Sequence, residues 1–153
     1  MKKTIALRFA TLTTAVGLAF IATAASASTI TVDTRFTASS PLANGNAYKT
    51  LIDGLTASAP PSGYCDGSNA SVFSGVSNQS TCGGSNSSIA FHIDVDFGLS
   101  SAGTFNFRIG PDFGFGGAVF LDGALVAFSN DNLWWSGDFN NVAEIFTGSA
   151  NLS

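Results

Sequence analysis

At 153 residues the chain can bury one hydrophobic core and is short of what two domains need. Its formal charge of −4, with only 10% charged residues, excludes the clustered Lys and Arg that nucleic-acid backbones demand. Seventeen Gly and fourteen Phe favour many short strands joined by tight turns over long salt-bridged helices.

Residues 1–27 read as an export signal. Lys2, Lys3 and Arg8 form a positive n-region, 9–22 is an apolar run broken only by Thr and Gly, and Ala25-Ser26-Ala27 is a small-x-small cleavage site. Cleavage there leaves Ser28 as the mature N-terminus. The apolar run falls short of the ~20 residues that span a bilayer, so the mature chain is expected to have no membrane span; an uncleaved anchor is the alternative. Removal leaves Arg35, Lys49 and Arg108 against ten acids, a formal charge of −7 over residues 28–153. Those 126 residues are expected to form one domain. The acidity suits a soluble exported protein and a cation site.

Along the mature chain, 29–36 (TITVDTRF) alternates β-branched and polar residues and predicts a first strand. Over 46–55, Tyr48, Leu51, Ile52 and Leu55 follow helical spacing, Asn46 can cap the start and Gly54 weakens the end. One short helix is predicted there, over a sheet edge or an open end. Residues 59–88 are Gly-, Ser- and Asn-rich, with Pro60-Pro61, and read as a long loop. Cys65 and Cys82, the only cysteines, lie within it. In an oxidising compartment they are expected to form a disulfide, since their spacing fits no metal or redox motif.

From residue 89 the pattern becomes regular. In FHIDVDF (91–97), Phe91, Ile93, Val95 and Phe97 face one way and His92, Asp94 and Asp96 the other. TFNFRI (104–109) alternates likewise. AVFLDGALVAF (118–128) is two strands joined by Asp122-Gly123, suited to a type I′ turn. GFGG (114–117) opens no helix and reads as a turn. The expected fold is all-β, an antiparallel β-sandwich of jelly-roll type with one short helix.

Three constellations could carry chemistry. His92, Asp94 and Asp96 share a strand face, with Arg108 a possible partner; they suit a metal or a solvated sheet face. Asn130, Asp131 and Asn132, then Asp138, Asn140 and Asn141, bracket Trp134-Trp135 with oxygen donors. Calcium held by Asp131 and Asp138 is one reading of that loop, ordinary turn formation the other. Adjacent Trp134 and Trp135 point to opposite sides of a strand. One can be core and the other a stacking platform for a sugar ring beside Asn130, Asp131 and Asn132, or both can plug the core. Nine Asp and Glu144 supply carboxylates in number only, and there is no GxSxG, HExxH or phosphate loop. No catalytic residue is assigned and no enzyme is expected.

SGYC (62–65), TCGG (81–84), FRIGPDFGFGGAVFLDGALV (107–126) and NDNLWW (130–135) together resemble the CCXG family of PEP-CTERM proteins. The resemblance covers nearly all the mature chain and is strongest over 103–135. It implies an exported protein of an exopolysaccharide-producing Gram-negative bacterium, secreted, periplasmic or on the cell surface. The strand, turn, strand and Asp-Gly core is also similar to the protective-antigen-type β-sandwich of adhesins and glycosidases, some of which bind carbohydrate, often with calcium. The family continues past Ser153 with a Gly-x-His strand, a Cys-Cys-x-Gly segment and a sorting tail, so the domain is expected to be incomplete at its C-terminus. The implied function is a non-enzymatic envelope or matrix protein that binds exopolysaccharide or envelope components. The alternatives are an assembly module without a small ligand and, further off, a glycan-active enzyme.

Overall fold

The computed structural model describes residues 2–11, 17–20, 26–38, 40–69, 76–98 and 102–152. The described chain is all-β with antiparallel pairing throughout, plus two helices. The strands are β1 (Lys2–Thr11), β2 (Gly17–Phe20), β3 (Ser26–Phe36), β4 (Ser68–Asn69), β5 (Ile89–Gly98), β6 (Gly103–Gly110), β7 (Asp112–Phe113), β8 (Gly117–Leu121), β9 (Ala124–Ser129), β10 (Leu133–Trp134) and β11 (Phe146–Leu152). The helices are α1 (Gly45–Thr56) and α2 (Asn78–Cys82). A six-stranded sheet runs β4-β3-β5-β1-β8-β9, a three-stranded sheet β11-β6-β2, and β10 pairs with β7.

In the intact chain the segment with export-signal character does not stand apart from the sheets. β1 lies between β5 and β8, and β2 pairs with β6. The physical reason is period-2 patterning: Ile5, Leu7 and Phe9 alternate with Ala6, Arg8 and Ala10, which suits a strand with one apolar face.

The main core gathers residues from both larger sheets. Phe91, Ile93, Val95 and Phe97 of β5 are each at most 1% exposed, as their alternation predicted. They cluster with Phe105, Phe107 and Ile109 of β6, Val119 and Leu121 of β8, and Phe146 of β11. Phe97 stacks on Phe105 with ring centroids 4.8 Å apart. Phe105 and Phe107 are each nearly fully buried, and such rings contribute roughly 1.5–3 kcal/mol apiece on burial.

β8 is buried along its whole length because both of its faces are covered. Val119 and Leu121 join the main core, while Ala118 and Phe120 pack with Tyr48 of α1. The helix therefore lies on a sheet face, not over an edge or an open end as its amphipathic pattern suggested. Its start also differs from the expected Asn46 cap. Asn44 is the N-cap, its side chain accepting from the Ala47 amide at 2.9 Å, which frees Gly45 to press against Leu125 and Ala118. The Tyr48 hydroxyl accepts from the Leu42 amide at 3.0 Å and donates to the Phe115 carbonyl, so the core tyrosine is satisfied at its polar end. Burial raises its pKa.

The Asp122-Gly123 turn is as expected, with φ of 48° and 82°, the double left-handed geometry of a type I′ hairpin. The 59–88 stretch is not the featureless loop its composition implied. It contains β4 and α2, whose start is closed by a reciprocal capping box between Ser77 and Ser80.

A buried polar knot ties this stretch to β3. Thr34 and Asn78 are both fully buried, and the Thr34 hydroxyl donates to Asn78 Oδ1 at 2.6 Å. Asn78 Nδ2 donates to the Gly63 and Ser85 carbonyls at 2.8 and 2.7 Å. Arg35, 3% exposed, donates to the carbonyls of Thr34, Ser58 and Cys65 and pairs with Asp66. A buried guanidinium is stable only when its donors are used in this way. Cys65 and Cys82 form the expected disulfide across 17 residues of sequence.

Cys65→Ser should lower the unfolding free energy by about 3 kcal/mol through loss of loop closure. Hydrogen exchange should then rise in 59–88 before it rises in β5 or β8. Two free thiols in the non-reduced wild-type mass would defeat this.

Candidate functional site

The tryptophan pair is positioned by β10, which pairs with β7 so that Leu133 opposes Phe113 and Trp134 opposes Asp112. Strand alternation then decides the three side chains in turn. Leu133 points inward at 8% exposure, Trp134 points out at 73%, and Trp135 turns back to a half-buried position. The Trp135 amide donates to the Pro111 carbonyl at 3.0 Å and holds that alternation beyond the strand.

Trp135 packs on a backbone that only glycine allows. A Cβ on Gly110 would lie 2.3 Å from the indole ring, far inside van der Waals contact. On its other side the indole meets Phe139, centroids 4.6 Å apart. Its Nε1 is buried and has no hydrogen-bond partner among the described residues.

The loop after the pair folds back on itself. Glu144 Oε2 accepts from the Ser136 amide at 2.9 Å, closing an eight-residue span. Those hydrogen bonds from Ser136 hold the Glu144 carboxyl below its ordinary pKa, while nearby Asp138 pushes the other way. A depressed carboxylate pKa stabilises the fold above its unfolded value, and the contribution disappears as pH falls through the folded value. Within the span, Asp138 Oδ1 accepts from the Asn140 amide and side chain at 2.8 and 3.0 Å, an Asx-type turn.

Together Asn132, Trp134, Trp135, Ser136 and Glu144 line an open cleft of about 650 Å³. It offers an exposed aromatic face, a charged acceptor, an amide and a hydroxyl within one concavity. Of the residues expected to bind ligand, Trp134, Trp135 and Asn132 line it. Asn130 and Asp131 are exposed but do not, and the Asp131 amide donates back to Ser129 Oγ at 3.2 Å. Ser136 and Glu144 were not singled out as binding residues. Glu144 lies twelve residues beyond Asn132, and only the folded-back loop brings it there. A second depression of about 460 Å³, along β6 and β11, carries Arg108 and Asn106 but no exposed aromatic ring.

The other two constellations resolve differently. His92 lies between two carboxylates, Nδ1 2.9 Å from Asp33 and Nε2 3.0 Å from Asp94. Each ring nitrogen thus faces a carboxylate, and neither makes a hydrogen bond among the described residues. Asp33 joins through the β3–β5 register, where it opposes His92, a cross-strand relation invisible along the sequence. Asp96 accepts from the Thr29 hydroxyl at 3.2 Å. The expected partnership with Arg108 is corrected: Arg108 lies on β6, in the three-stranded sheet, and donates to the Phe139 carbonyl at 3.4 Å.

Among the described residues, no three His, Cys, Asp or Glu side chains are grouped to hold a metal. Asp131 and Asp138 belong to no such group, and Asp138 Oδ1 accepts within its own turn. Among them, too, no helix is long and apolar enough to cross a membrane.

Set against known protein families, curated proteins and solved structures, the chain matches none of the three.

Gly110→Ala should cost ~1–3 kcal/mol by overpacking and displace Trp135, seen as a shift in tryptophan emission. Melting curves in EDTA and in millimolar calcium should coincide. A calcium-dependent rise that Asp131→Ala removes would instead establish a cation site in this loop.

Proposed function

We propose that this is an exported, non-catalytic β-sandwich protein of the bacterial envelope or extracellular matrix that binds glycan at the Trp134 cleft. The observation that carries the reading is Trp134 itself. An indole left 73% exposed, on a strand whose neighbouring residue Leu133 is buried, costs hydrophobic stabilisation that folding could have taken. A flat ring beside Asn132, Ser136 and Glu144 suits a pyranose, whose apolar face stacks while its rim of hydroxyls meets hydrogen-bond groups. Glu144 presents a carboxylate acceptor to sugar hydroxyls, with Oε2 already bonded to the Ser136 amide. The resemblance to exported proteins of exopolysaccharide-producing species and the export-signal character of 1–27 support the same reading. So does the formal charge of −7 left by processing, which favours neutral or basic glycans over acidic ones.

Titration with the producing organism's exopolysaccharide should change tryptophan fluorescence, and Trp134→Ala should weaken binding roughly tenfold to a hundredfold. The same substitution should leave stability within about 0.5 kcal/mol, because so exposed a side chain supports no core. Unchanged fluorescence and no retention on the polysaccharide would reject glycan binding and leave an assembly module.

A further inference from the structure

Charge in the Trp134 cleft is of one sign. Glu144 is the charged residue of its lining, and among the described residues no basic side chain joins it there. Asp138 lies near enough to Glu144 to oppose its ionisation, so the field around the carboxylate is more negative still. The basic side chains that the structure describes are engaged elsewhere. Arg35 pairs with Asp66 and Lys49 with Asp53, while Arg108 lines the depression along β6 and β11 and donates to the Phe139 carbonyl.

Hydrogen-bond direction adds to the bias. The Ser136 amide donates to Glu144 Oε2 at 2.9 Å, and the Ser136 hydroxyl donates to the same carboxyl. Both Ser136 donors are thus used within the protein, and an ionised carboxylate can only accept. The side-chain donors left for a ligand are the neutral N–H groups of exposed Asn132 and Trp134, because Trp135 Nε1 is buried. The indole face of Trp134, in a ring 73% exposed, completes the picture. The face of a Trp ring is the negative end of its quadrupole and attracts a cation.

We propose that the cleft selects amine-bearing glycan, a sugar whose free amino group is protonated and is held by the Trp134 face and the Glu144 carboxylate. The inference rests on the glycan reading above and narrows it to one ligand class. An ammonium brings three donors, no acceptor and a positive charge, which answers the acceptor-rich lining. N-acetylation removes that charge and adds a carbonyl that needs a donor. An acidic sugar meets both the carboxylate and the ring face with the wrong sign.

The probes are β-linked tetrasaccharides of glucosamine, N-acetylglucosamine and glucose, of one linkage and differing only in an amine, an acetamide or a hydroxyl. They are titrated calorimetrically into the full chain at about pH 6, where carboxylates are ionised and the sugar amine is protonated. The amine form should bind about tenfold more tightly than either of the others. Glu144→Gln, whose amide oxygen can still accept from the Ser136 amide, should cut that preference to about threefold or less. Equal affinities for the three overturn the inference and leave glycan binding standing. A preference that survives Glu144→Gln overturns it too, by assigning the attraction to the acidity of the whole chain. If Glu144→Gln melts early, Trp134→Ala decides by the same ratio: loss of the preference supports the cleft, and its retention overturns it. No binding of the three with exopolysaccharide still bound overturns this inference alone. No binding of exopolysaccharide either rejects the glycan reading with it.

Discussion

The hydrogen bond between the fully buried Thr34 hydroxyl and Asn78 holds together the part of the molecule that has least core of its own. Around it, Asn78 also binds the carbonyls of Gly63 and Ser85, and Arg35 binds those of Ser58 and Cys65. A segment this rich in Gly, Ser and Asn buries too little apolar surface to offset its ordering entropy. Directional polar bonds in a dry site replace that missing surface, and the disulfide reduces the entropy of the unfolded loop. With 59–88 fixed to β3, α1 is fixed as well, since its C-terminal end reaches Arg35 through Ser58.

That anchoring governs what lies on the far face of the six-stranded sheet. α1 covers Ala118 and Phe120, which lets β8 be buried on both faces. The Tyr48 hydroxyl, bonded to Phe115, fixes the turn that leads into β8, and β8 continues through the Asp122-Gly123 hairpin to β9. The chain then enters the Asn130–Trp135 run. The cleft thus sits on a rigid base, although most of its lining comes from loop.

Within the cleft, stability and display are divided between adjacent residues. Trp135 is held by the bare backbone of Gly110 and by Phe139, and Trp134 is left out of the core. Glu144, bonded to the Ser136 amide, draws the following loop across so that a charge lies near the rings. This pattern separates the Trp cleft from the His92 group, where each imidazole nitrogen faces a carboxylate and no Trp, Tyr or Phe ring is displayed among the residues named.

Periodicity alone determined much of this protein. Alternating Phe91, Ile93, Val95 and Phe97 specified a half-buried strand because side chains on extended backbone must alternate, and Asp122-Gly123 specified its hairpin because few residue pairs accept left-handed φ twice. Adjacency of Trp134 and Trp135 already required them to point apart. Partners distant in sequence were decided only by tertiary structure. Asp33 meets His92 through strand register, Arg108 belongs to a different sheet, and α1 found a sheet face because β8 had a second apolar side to offer. α2 was hidden by polar composition, because its stability comes from a capping box and from Asn78's buried bonds and not from apolar spacing. Glu144 reached the cleft only through a fold-back held by its hydrogen bonds with Ser136 and by the turns between them. Local pattern encodes which way a side chain faces; which strand lies across from it depends on register and packing summed over the whole chain.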